Sequence, residues 1–117
     1  MSPVVAWARA FAWTLALEEG VVLTMTRRDP QSAGKRAALV ALANLCTHPA
    51  VWFIIPLLFA SEVPRVVACE TWAVVIEAIF YALTMNMSAA RALGVSAIAN
   101  AVSFGVGIVV RDLTGWV

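Results

Sequence analysis

Residues 37–61, AALVALANLCTHPAVWFIIPLLFAS, contain no Asp, Glu, Lys or Arg. That run exceeds the ~18 apolar residues that read as a bilayer-spanning helix. Three further segments follow the same pattern. Residues 92–110 are also free of charge, residues 71–90 carry only Glu77, and residues 10–26 carry only Glu18 and Glu19. Four spans are predicted, at about 4–26, 37–60, 66–85 and 94–113. Composition agrees, since 62% of residues are hydrophobic and 13% charged, against about 25% charged in soluble domains. In hydrocarbon an unpaired N–H or C=O costs several kcal/mol, so the spans should be helices. The short alternating segments of a β-barrel are missing. The start, Met1-Ser2-Pro3, lacks the basic region of a signal peptide, so the first segment is expected to be a retained helix. The predicted fold class is an all-α integral membrane protein, with four transmembrane helices in one domain over residues 1–117.

The two halves of the chain repeat each other. Trp13 and Glu18 reappear at the same spacing as Trp72 and Glu77, and Leu23-Thr24-Met25 as Leu83-Thr84-Met85. From Ser32 to Thr47, against Ser88 to Ser103, the match runs without a gap and pairs Asn44 with Asn100. The expected architecture is a duplicated two-helix hairpin, a parallel repeat with halves at about 1–60 and 66–117. Such a doubling builds a pseudo-symmetric interface on which polar groups converge.

The loops orient the chain. Arg27, Arg28, Lys35, Arg36 and Arg91 fall on one side, and Arg9, Arg65 and Arg111 on the other. By the positive-inside rule the hairpin turns are cytoplasmic and both termini lie outside, in a bacterial inner membrane. Trp7 and Trp116 are candidates for an interfacial belt at the outer ends. A net charge of +1 offers nothing for a nucleic-acid partner. The expected partners are the lipid bilayer and either further copies of the chain or another membrane protein. Cys46 and Cys69 are predicted at different depths and form no CxxC pair, so neither a disulfide between them nor a thiol metal site is expected.

The chemistry is concentrated at mid-membrane. Glu18, Glu19, His48, Glu77 and Ser103 lie near the helix midpoints, with Asn44 and Asn100 about a turn away. An ionisable group at the bilayer centre costs about 2.5–3.5 kcal/mol on insertion scales, so these groups should face one another. Helical spacing puts Asn44, Thr47 and His48 on one face, and Ser96, Asn100, Ser103 and Gly107 on another. Glu70, Glu77 and Tyr81 share a third. The ion or substrate candidates are Glu18, Glu19, His48, Glu77, Asn44 and Asn100; the helix-packing candidates are Thr47, Ser96, Ser103, Gly107 and Tyr81. Pro49, directly after His48, is expected to kink the second helix. No catalytic residue or cofactor is assigned, and the metal question is left open because no ligand spacing such as HExxH occurs.

In length, helix count and an acid in the first helix, Glu18, the chain resembles the small multidrug resistance transporters. The likeness covers those features alone. The leading functional reading is a small transporter or channel-like protein moving a proton, cation or small solute through the Glu/His/Asn layer. The alternative is a non-catalytic assembly or scaffold subunit whose polar layer fixes its own packing. A membrane-embedded enzyme using His48 and Glu77 ranks third, and the chain is read as a non-enzyme.

Overall fold

The computed structural model describes residues 1–115, so Trp116 lies outside the described residues. It contains four α-helices: α1 (Pro3–Met25), α2 (Ala33–Phe53), α3 (Glu62–Thr84) and α4 (Ala89–Thr114). A short 3-10 turn, Ile55–Leu57, follows α2. The second span therefore ends earlier than its apolar run suggests. Pro56 has no N–H to continue the helical ladder and its ring clashes with the carbonyl four residues back, so the chain leaves α2 at Phe53 although apolar residues continue to Ala60. Pro49, by contrast, is accommodated inside α2.

Side-chain caps set three of the helix starts. Ser2, Ser32 and Ser88 accept hydrogen bonds from the backbone N–H groups of Val5, Lys35 and Arg91, satisfying donors that have no partner within the helix. Ser32 caps α2 and Ser88 caps α4. Asn86, with φ 57°, takes the left-handed conformation that turns α3 into α4, a backbone region Asn tolerates better than most residues.

Three helical segments, 33–57, 62–84 and 89–114, are long and apolar enough to cross a membrane. The expectation of four such helices is corrected at α1. Every stretch of 18 residues within α1 includes Arg9, Glu18 and Glu19, more charge than the spanning stretches of the other three helices carry. Hydropathy treats each charge as if it stood alone. Glu18, however, is fully buried against α2 and α4.

The helices occupy the corners of a square. α1 packs on α2 and α4, α3 packs on the same two, and among the described residues the diagonal pairs stay apart. The bundle buries polar side chains at its centre and exposes large apolar ones on its perimeter. Glu18, Asn44, Thr47, Glu77, Ser96 and Asn100 are buried, whereas Leu42, Leu45, Ile79, Ile98 and Leu83 face outward. Along its axis the bundle has two unlike halves. Toward the hairpin turns the interior is filled by Val22, Val40, Ala43, Tyr81, Met85, Val95 and Ala99. Toward the termini it is hollow.

The turn end is also tied by polar groups. Arg36, only 7% exposed, donates to the Gln31 carbonyl (3.1 Å), the Leu23 carbonyl (3.2 Å) and Thr26 Oγ1 (2.9 Å). A cation at the C-terminal end of α1 satisfies orphan carbonyls and complements the helix dipole. Arg91 pairs with Asp29 at 2.9 Å, and Gln31 Nε2 donates to the Thr84 carbonyl at 3.0 Å. Together these fasten the first turn to the second hairpin. Arg36→Met should lower the unfolding free energy in detergent by about 1–3 kcal/mol, the usual cost of leaving buried polar partners unpaired. The exposed Lys35→Met should stay within about 0.5 kcal/mol.

Candidate functional site

All four helices contribute to a cavity of about 380 Å³ that extends from the bundle centre toward the end bearing the termini. Its floor carries Glu18, Glu77, Asn44, Asn100, Thr47 and Ser103; Arg65 and Arg111 stand at its mouth and Glu70 between the two levels. The positions follow from helical geometry. Each of these residues lies on the inward stripe of its helix, and the stripe continues past the floor only on the terminus side, where small residues such as Ala10, Ala73 and Gly107 leave space.

The two acids are bound in the same way. Asn44 Nδ2 donates to Glu18 Oε2 at 2.9 Å, and Ser103 Oγ donates to Glu18 Oε1 at 3.0 Å. Asn100 Nδ2 donates to Glu77 Oε2 at 2.8 Å, and Thr47 Oγ1 donates to Glu77 Oε1 at 2.9 Å. Each acid thus takes an amide from the second helix of its own hairpin and a hydroxyl from the second helix of the other. Thr47 precedes Ser103 by the same number of residues as Asn44 precedes Asn100. The second amide proton of each Asn goes to the carbonyl one turn back, Val40 at 3.1 Å and Ser96 at 3.0 Å. This fixes the amide orientation, because a flipped side chain would set its oxygen against both the carboxylate and that carbonyl. Asn44 and Thr47, a turn apart on α2, hold different acids, as do Asn100 and Ser103 on α4, so the two carboxyls lie side by side between these helices.

The remaining candidates are distributed unevenly. His48, 8% exposed, lines the cavity wall. It sits among the rings of Phe11 (centroids 5.3 Å), Trp52 (6.4 Å) and Trp7 (6.5 Å), and its Nδ1 is buried without a partner. Glu19 lies off the cavity, half-buried on the adjacent face of α1, and its Oε2 has no partner. Ser96 ties α4 to α3 by donating to the Val74 carbonyl at 2.8 Å. Tyr81 is buried in the apolar half. Gly107 borders the cavity, and a Cβ there would meet nothing within 4 Å, so no close helix approach depends on it. Cys46 and Cys69 are both free thiols.

Sequence reasoning placed Thr47 and Ser103 with the packing residues, whereas each donates to an acid. By sequence Arg36 is only a loop cation, and Arg65 and Arg111 are cations of the outer side, although the latter two line the cavity with Glu70. The shared inward stripe of Glu70 and Glu77 on α3 was the signal available for Glu70. For the two mouth arginines no local pattern distinguishes a cavity position from a lipid-facing one. Among the described residues no group of three or more His, Cys, Asp or Glu side chains is placed to hold a metal ion. Compared with protein-family models, curated proteins and solved structures, the chain matches none. The site must be read from its own geometry.

Proposed function

We propose that this chain is a small polytopic membrane protein, a transporter or channel-like carrier that admits a proton, cation or small solute to the midplane acids Glu18 and Glu77. One observation carries the reading: a single cavity reaches both carboxyls and the wall histidine from the terminus side, while the opposite half of the bundle is packed. Buried polar groups inside an apolar perimeter support residence in a bilayer, where intramembrane ionisable groups mark pathways by default. A cavity closed at one end suits a carrier that binds and then rearranges better than a continuous pore. The proposed topology has cytoplasmic turns, outer termini and a duplicated hairpin. Four short helices enclose little volume, so the path is completed between copies of the chain.

The complete hydrogen bonding of both acids favours the second reading, a scaffold subunit whose polar layer only fixes packing. Gly107→Leu separates the two. The added side chain has open space to enter, and replacing an internal helix Gly itself contributes up to about 1 kcal/mol of stability. In reconstituted vesicles the transporter reading expects the variant to fold at least as stably as the parent while solute or proton flux falls to background. Unchanged flux in a folded Gly107→Leu protein would sink the transport assignment. Co-purification of the parent chain with a larger complex, without flux, would favour the scaffold.

A further inference from the structure

We propose that Glu18 and Glu77 form a carboxyl dyad that binds exchangeable protons from the cavity, with the hydroxyls of Thr47 and Ser103 acting as reversible partners that keep the site satisfied as protons come and go. This deepens the transport reading by naming the proton as a ligand of its floor.

The inference rests on counting donors and acceptors. Two carboxyls lie side by side between the same stretches of α2 and α4, and the groups donating to them are two amides and two hydroxyls, all neutral. No Lys or Arg reaches them, since Arg65 and Arg111 stand at the cavity mouth. The titratable groups around the dyad are His48 on α2 and Glu70 and Tyr81 on α3; α4 offers none nearer than Arg111, and α1 contributes only Glu18 itself at the floor. Like charges adjacent in a low dielectric cannot both persist without a counter-ion, so a pair of this kind holds a proton between its members.

The hydroxyls explain how a second proton is accommodated. The amide N–H groups can only donate, so a proton added to the oxygens they hold, Glu18 Oε2 and Glu77 Oε2, would weaken that bond without gaining a reversible partner. The other two oxygens face hydroxyls, which donate or accept. Thr47 Oγ1 lies 3.3 Å from both the Ala43 and Asn44 carbonyls, and Ser103 Oγ lies 3.1 Å from the Asn100 carbonyl. When Glu77 Oε1 gains a proton it donates to Thr47, whose own hydrogen turns to a carbonyl of its helix. Ser103 does the same for Glu18. Neither state leaves a buried donor without an acceptor. The partnerless Nδ1 of His48 on the same cavity wall marks where water or solute enters the polar network.

The test is infrared difference spectroscopy during a pH titration of the full chain, reconstituted in phosphatidylcholine vesicles and carrying Glu70→Gln to remove the third cavity acid. The expected result is a deuterium-sensitive protonated-carboxyl C=O band that titrates in two separated steps, because the protons belong to the pair. Either Glu18→Gln or Glu77→Gln should reduce it to one step at a new midpoint. Thr47→Val should shift the frequency of the Glu77 band alone, and Ser103→Ala that of Glu18 alone, while Thr47→Ser keeps the parent frequency. A single unsplit step in the parent protein, which needs no further variant, overturns the dyad. So does a remaining acid that titrates in each Gln variant as it did in the parent. Flux in the same vesicles is scored separately: two-step titration without flux keeps the dyad and removes transport, and flux without a titrating band does the reverse.

Discussion

Glu77→Gln should reduce proton-coupled or cation flux in sealed vesicles to background while leaving the folded protein intact. The asymmetry between function and fold follows from the hydrogen bonds. Gln fills the volume of Glu and keeps one acceptor oxygen, which stays on Asn100 Nδ2 in place of Oε2. Its amide nitrogen then faces Thr47, whose hydroxyl accepts and redirects its hydrogen to a carbonyl 3.3 Å away. The bundle therefore remains satisfied, and only the exchangeable charge is lost. His48→Ala should have the same effect on flux through loss of the titratable ring on the cavity wall, with a modest loss of stability from the void left among Phe11, Trp52 and Trp7. Vesicle flux assays together with size-exclusion profiles check both variants. Preserved flux in both would remove Glu77 and His48 from the transport path.

Asn44→Leu and Asn100→Leu should each destabilise the protein by about 1–3 kcal/mol, the cost of leaving a buried acid without one of its donors, and should lower yield. Thermal unfolding in detergent measures the effect. Asn44→Ala combined with Glu18→Gln should be non-additive by about 0.5–3 kcal/mol, as expected of groups in direct contact. Asn44→Ala combined with Arg36→Met, at the turn end, should be additive. A more stable Asn100→Leu would show that the amides are kept for function and not for packing.

The helices were legible because charge is confined to short segments of the chain and caps such as Ser32 and Ser88 precede the apolar runs. Two boundaries depended on effects outside hydropathy. Pro56 ends α2 while the apolar run continues, and the pairing of Glu18 with Asn44 and Ser103 buries an acid that counts against α1 in any apolar average. Of the candidate site, spacing alone identified the inward stripes carrying Asn44, Thr47 and His48 on α2 and Asn100 and Ser103 on α4. It also identified the matching acids. Glu18 and Glu19 were not separable in this way, because adjacent residues differ by about 100° around the helix and either could face the axis.

By itself the sequence determined four helical segments and a polar layer at their midpoints, since each depends only on order and spacing along the chain. Tertiary structure decided which groups meet. The square arrangement sends each hydroxyl to the acid of the other hairpin and sets Glu18 and Glu77 side by side between α2 and α4. Packing also fills one half of the bundle and leaves the other hollow. Helical periodicity fixes the direction a side chain takes from its own axis, but not which neighbouring helix stands there or how much space remains between them. Those depend on how the four helices pack.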